Sequence, residues 1–158
     1  MGEIMELIDG VVIKQLKHIV DERGFLMEML RNDDPFFQQF GQVYLTSCNP
    51  GYVKGWHFHK KQVDHFVVAH GTARIVLYDQ RKDSKTHGKL NEFIMGNDNK
   101  ILIRIPAGVM HGFECVGSEP CSIINIPNLP YNYKEPDEIK IPFDSPDIPY
   151  TWKAKKGG

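Results

Sequence analysis

An all-β sandwich or barrel with a proline-rich C-terminal extension is the fold this sequence predicts, and three observations predict it. Short runs rich in β-branched and aromatic residues recur along residues 11–126, punctuated by Gly, Asn, Asp, Ser or Pro. No stretch carries the period of a long amphipathic helix. Prolines recur every few residues in "PNLPYNYKEPDEIKIPFDSPDIP", residues 127–149, where they bar central-strand pairing.

The elements follow in order. "VVIKQL", "GFLMEML" and "QVYLTS" read as the first strands. Between them "DDPFFQQF", residues 33–40, is the best short helix candidate, with Asp33 or Asp34 as cap and Pro35 in the first turn. "DHFVVAHGTARIVLYD" reads as two strands about Gly71, and "LNEFIM", "ILIRIP", "HGFECV" and "CSIINI" complete the set. Many short strands separated by turns favour a sandwich or barrel over alternating β and α units. The proline-rich segment is expected as loop or edge structure on the core, and the terminal "KAKKGG" as frayed.

The chain has 158 residues and a formal net charge of −1. That length suits one domain, residues 1–158, with a sizeable core. Balanced charge argues against nucleic acid as a partner, and no apolar run is long enough to span a bilayer. The N-terminus lacks a basic start followed by an apolar core, so no signal peptide is read there. Three cysteines, Cys48, Cys115 and Cys121, form no CxxC pair and read as reduced thiols of a cytoplasmic protein.

The chemistry concentrates in "GWHFHKKQVDHF", residues 55–66. Strand periodicity puts His57 and His59 on one face, and Asp64 shares a face with Phe66 and Val68. His65 has the opposite parity and falls outside any pocket. "IPAGVMHGF" brings His111 just after a turn. A barrel can point His57, His59, Asp64 and His111 into its lumen. His18 and His87 read as loop or surface residues.

These spacings resemble the two cupin motifs. Gly51, His57, His59, Asp64 and Gly71 match the first, with Asp where Glu is usual; Pro106, Gly108 and His111 match the second. The resemblance implies a small antiparallel jelly roll with a pocket in its mouth. A more extensive one runs from about residue 9 to Trp152. "DERGFLMEML", "QVYLTSCNPGYVKGWHF", "IPAGVMHGFECVGSEPC" and "FDSPDIPYTW" resemble, in order and spacing, segments of the dTDP-4-dehydrorhamnose 3,5-epimerase family.

That resemblance implies a cytoplasmic, homodimeric isomerase that takes a proton from the carbon beside the ketone of a dTDP-4-keto-6-deoxy sugar or similar, without a cofactor. His57 matches the catalytic base. Arg23 matches a diphosphate-contacting Arg, and Lys54 a second such Arg. His111 matches the second active-site His, and Glu28 and Gln42 match nucleoside-side positions. His59 and Asn125 join them as substrate-binding candidates. Departures fall at three chemical positions: Asp64 aligns with the enolate-stabilising Lys, Asn125 with the general-acid Tyr, and Ser145 with the Asp that orients the base, where the adjacent Asp144 is the substitute. Tyr131 and Tyr133 are loop candidates for the acid.

The same replacements admit another set. His57, His59, Asp64 and His111 form a three-His, one-carboxylate group suited to one divalent metal ion. A 3,4-ketoisomerase-like or other metal-dependent cupin reaction is the alternative enzyme reading, and a non-catalytic sugar-nucleotide-binding cupin the third. A metal on His57 excludes that residue from serving as the base.

Overall fold

The computed structural model describes residues 5–158, and every regular element among them is a strand. In chain order these are β1 (Val12–Gln15), β2 (His18–Asp21), β3 (Gly24–Met27), β4 (Tyr44–Cys48), β5 (Tyr52–His59), β6 (Asp64–His70) and β7 (Thr72–Asp79), then β8 (Leu90–Gly96), β9 (Ile101–Ile105), β10 (Val109–Cys115), β11 (Cys121–Asn125), β12 (Glu138–Lys140) and β13 (Lys156–Gly157). One sheet runs β1-β9-β6-β11-β4 and the other β12-β5-β10-β7-β8, with β13 also on β5. Pairs are antiparallel except β13 with β5.

The space between the sheets is filled by inward residues of both, among them Phe66, Ile75, Leu77, Ile103, Phe113 and Ile123. Two flaps cover the outer faces. Trp56, Val76 and Met110 on the outer side of the six-stranded sheet lie under Ile148 and Trp152 of the C-terminal extension. Leu16, Val67 and Leu102 of the other sheet lie under Met27, Met29, Leu30 and Phe36. Apolar side chains on both faces explain why β6 and β7 read as near-continuous hydrophobic runs rather than clean alternation.

Two expectations need correction. Residues 33–40 form turns and no helix. Asp34 accepts from Arg31 N at 2.8 Å and from Lys14 Nζ at 2.7 Å instead of opening a helix. The terminal segment is held: Lys156 and Gly157 pair with Tyr52 and Val53, and Gly158 N donates to Val53 O at 3.2 Å. In the proline-rich segment only β12 is regular, and it lies on the edge of its sheet. Cys48, Cys115 and Cys121 are free thiols, as expected.

Two strands approach closely at the site itself. β10 and β5 pair with His111 opposite His57, and their register shifts between His111 and Phe113. A Cβ at Gly55 would lie 2.8 Å from Gly112 Cα, so backbone meets backbone here and glycine is required on steric grounds.

Candidate active site

Three strands of different sequence origin bring the imidazoles and the carboxylate together. His57 and His59 come from β5, His111 from β10 and Asp64 from the facing sheet on β6. One ligand atom from each lies within 4.8 Å of all the others. His57 and His111 meet edge to face with ring centroids 4.2 Å apart, and Phe66 packs on His111 from the core side at 5.5 Å.

Asp64 is the floor of this cluster and is buried. Its Oδ1 accepts from Gln62 Nε2 at 2.8 Å and from Asn125 Nδ2 at 2.9 Å. Its Oδ2 faces His59 Nε2 at 3.3 Å and His111 Nε2 at 3.2 Å. Burial works against the charged carboxylate, but the hydrogen bonding and charge of His111 and His59 outweigh it and hold Asp64 well below the usual carboxylate range.

The histidines are not equivalent. His111 Nδ1 lies 3.0 Å from Val109 O and so carries the proton that the carbonyl accepts. His111 Nε2 is left without a well-aligned hydrogen-bond partner. His59 Nε2 has two neighbours of opposite demand at 3.3 Å: the Gln62 amide nitrogen needs an acceptor, and Asp64 Oδ2 needs a donor. Burial opposes charge on His59, but Asp64 wins and raises its pKa above the ordinary value. His57 goes the other way: burial, reinforced by His111, holds its pKa well below the ordinary value. At neutral pH His57 is an uncharged imidazole with a free lone pair.

Of the cluster, His59 lines a neighbouring cavity of about 850 Å³, together with Gln42, Tyr44, Gln62, Tyr131 and Glu138 among others. Asn125 reaches the site through Asp64. Lys54 holds Thr46 Oγ1 at 2.9 Å. His65 lies on the opposite face, buried beneath Phe36, with Nδ1 2.7 Å from Ile126 O. Tyr133 is exposed and packs on Tyr131.

Arg23, Glu28 and Asp144, like Lys54, belong neither to the cluster nor to this cavity. Arg23 pairs with Asp21 at 2.6 Å on the β2–β3 hairpin, and its side chain is 83% exposed. Glu28 pairs with Arg31 at 3.0 Å. Asp144 lines a second cavity of about 490 Å³, enclosed by side chains of the C-terminal extension, and makes no hydrogen bond to His57. Sequence reasoning missed Tyr44 and Gln62. Gln62 was accessible, since it lies three residues from His59 and two from Asp64. Tyr44 was not, because its importance depends on which strand it pairs with.

Two packed antiparallel sheets with an imidazole cluster between them make a cupin-type barrel. Residues 6–157 match the family model described as dTDP-4-dehydrorhamnose 3,5-epimerase, and the chain belongs to this family of sugar-nucleotide epimerases. It is 41% identical over 149 residues to the spore coat polysaccharide biosynthesis protein SpsL of Bacillus subtilis, covering 94% of this chain and 99% of that one. A protein of Haloferax volcanii described as a probable low-salt glycan biosynthesis epimerase is 40% identical over 156 residues, 98% of this chain and all of the relative. Among solved structures, the dTDP sugar isomerase of Desulfovibrio desulfuricans superposes with a TM-score of 0.87 at 35% identity, covering 94% of each chain. A Legionella pneumophila 3,5-epimerase solved with dTDP-4-keto-L-rhamnose gives 0.83 at 25% identity, covering 98% of this chain and 84% of that one.

Proposed function

We propose that this chain is a cytoplasmic epimerase or isomerase of a dTDP-4-keto-6-deoxy sugar or a close analogue. Its reaction begins with removal of the proton on a carbon beside the ketone. The observation that carries this reading is His57, kept neutral by burial and by His111 at the mouth of the barrel. A C–H beside a ketone is a weak acid, and an uncharged imidazole is a suitable base near neutral pH. Asp64 favours the charged form of His59, which in that form would stabilise the enolate oxygen. No carboxylate among the described residues hydrogen-bonds His57, so the neighbouring rings hold its orientation. The protein binds its substrate within one cupin domain spanning residues 1–158.

The test is proton exchange. Wild-type protein incubated with dTDP-4-keto-6-deoxyglucose in D2O should incorporate deuterium beside the ketone, read by NMR, and His57→Asn should abolish it. Retention of wild-type exchange by His57→Asn would overturn the assignment of the base.

The homodimer belongs to the same proposal. The β2–β3 hairpin joins neither large sheet and exposes Ile19, Val20, Phe25 and Leu26. Phe40, Val43 and Leu45 are exposed as well. Apolar side chains in that number mark an association surface. A second copy bringing its hairpin over this chain's cavity would carry Arg23 and Glu28 to a nucleotide, which explains why neither reaches its own pocket.

A second reading rests on a specific observation. Asp64 Oδ2 faces two Nε2 atoms at 3.2 and 3.3 Å, and at His111 Nε2 that contact is not an aligned hydrogen bond. The separation between ligand atoms on a tetrahedral zinc ion is about 3.3 Å, from bond lengths near 2.0 Å. Gln62, Asn125 and Val109 O orient Asp64 and His111 from behind, as second-layer partners of metal ligands do. His59, Asp64 and His111 therefore suit one divalent ion, with His57 offering a fourth ligand atom within 4.8 Å of the others. When bound, it would supply Lewis-acid stabilisation of an enolate oxygen. Elemental analysis decides: stoichiometric metal in protein purified without added ions, lost in Asp64→Ala, establishes the metal reading and excludes His57 as the free base.

A further inference from the structure

Proton removal by His57 makes an enolate, and inversion requires a proton delivered to the opposite face of the same carbon. Asn125 has no acidic proton to give, so the acid must come from another residue. The cavity offers two phenols, Tyr44 and Tyr131. Tyr131 stands on the loop after β11, leaning on the exposed Tyr133. Tyr44 is anchored. It lies directly opposite Asn125 in the β4–β11 pairing, and its hydroxyl accepts from Asn125 Nδ2 at 2.8 Å. The same Nδ2 donates to Asp64 Oδ1, so the phenol is tied to the carboxylate beneath His59 and His111. Because its oxygen is the acceptor in that bond, its own proton is left to point into the cavity. No acceptor for that proton is found among the described residues.

We propose that Tyr44 is the general acid of the epimerisation, delivering a proton to the enolate carbon from the face opposite His57. This rests on the proton-abstraction reading given above. The placement suits the chemistry: His57 hangs from β5 in one sheet and Tyr44 from β4 on the edge of the other, so a sugar held between the sheets meets the two groups on different sides. Each step balances. The C–H bond breaks, its proton passes to His57 and its electron pair to the enolate oxygen. The carbonyl then re-forms as the carbon takes the proton of the Tyr44 O–H. The resulting phenolate recovers a proton from solvent, and His57 releases one. Burial and the charge of Asp64 push the Tyr44 phenol up to about 12, so it remains protonated through the working range and recovers its proton readily.

The experiment separates exchange from inversion. With dTDP-4-keto-6-deoxyglucose in D2O, NMR follows deuterium entry beside the ketone and, separately, the inverted product. Tyr44→Phe keeps the ring and removes only the hydroxyl, so the fold should persist; urea unfolding checks this. His57 can still take a proton and return deuterium to the same face. Exchange should therefore stay within several-fold of wild type, while inverted product falls at least about 100-fold, the ordinary contribution of a general acid. Inversion by Tyr44→Phe within threefold of wild type would overturn the assignment. Equal loss of exchange and inversion would also overturn it, showing that Tyr44 only shapes the site. Wild-type protein that neither exchanges nor inverts this sugar would sink the epimerase reading itself, and Tyr44 with it.

Discussion

Removing the Asp64 carboxylate should cost stability, and the structure gives the size. Oδ1 accepts two amide donors, from Gln62 at 2.8 Å and Asn125 at 2.9 Å. Hydrogen bonds to a charged group contribute about 1.5–3 kcal/mol each. Two effects reduce the loss in Asp64→Ala. Asn125 Nδ2 keeps the Tyr44 hydroxyl as an acceptor. The buried charge, which opposes folding, is also gone. Against them stands His59, whose charged form loses the carboxylate that favours it. The expected cost is about 3 kcal/mol, at the lower end for removing one partner of a buried pair. Asp64→Asn keeps an oxygen for both amides and places an amide nitrogen before the two imidazoles, so about 1 kcal/mol is expected. The gap of about 2 kcal/mol is a factor of roughly 30 in the unfolding constant. Urea unfolding at pH 7.5 measures both variants, at fixed protomer concentration and with chelator present, since association and metal would each shift the midpoint. Asp64→Ala as stable as wild type would refute the reasoning, because the carboxylate would then cost as much to bury as its donors return.

Other expected outcomes are narrower. Gly55→Ala puts a methyl 2.8 Å from Gly112 Cα, where only backbone can yield, so β5 and β10 should separate and the His57–His111 contact with them; exchange activity should fall at least tenfold with a lowered urea midpoint, and a variant normal in both would show that the strands have room. Arg23→Ala should weaken dTDP binding measured by calorimetry without changing the urea midpoint, because its pair with Asp21 is open to solvent; unchanged affinity would remove Arg23 from the site. Sedimentation at micromolar concentration should show a dimer, and a monomer alone would remove the role assigned to the hairpin. Asp79 is buried and, despite that burial, its bonds from Arg81, Ser84 and Thr86 hold its pKa below the ordinary value. Its contribution is complete above the unfolded pKa near 3.9 and is lost as pH falls further, because the unfolded chain takes a proton that the native carboxylate resists; Asp79→Asn should flatten the loss of stability below about pH 4, and an unchanged acid limb would assign it to other carboxylates.

What the sequence disclosed depends on how local the cause is. Period-two parity put His57 and His59 on one face and His65 on the other from Asp64, and a turn residue pair delivered His111; all are consequences of neighbours within a strand. Tyr44 was invisible for the opposite reason. Nothing in "QVYLTS" names β11 as its partner, and that partner lies 81 residues away. Asp34 looked like a helix cap because capping needs only nearby backbone, yet Lys14, twenty residues earlier, shares its carboxylate. β13 escaped notice because two residues carry no periodicity, and its pairing is set by the C-terminal flap closing over Trp56.

The sign of the charge at position 64 organises the chemistry. The family resemblance asks for a lysine there, facing the enolate; this chain has a buried carboxylate. A bare carboxylate facing a forming oxyanion would raise the barrier, so positive charge must stand between them. The structure provides for that in two ways. Asp64 holds proton affinity on His59, and it presents an oxygen beside two imidazole nitrogens that could share a cation. In both cases Asp64 acts through what it gathers, and Gln62 and Asn125 keep one of its oxygens occupied so that the other faces the imidazoles. The acid has moved in parallel: where the resemblance expects a phenol at 125, an asparagine stands, and a phenol rises from the residue directly opposite. An amide at 125 can serve both changes at once, holding the carboxylate with one contact and the Tyr44 hydroxyl with the other, which a tyrosine at that position could not do.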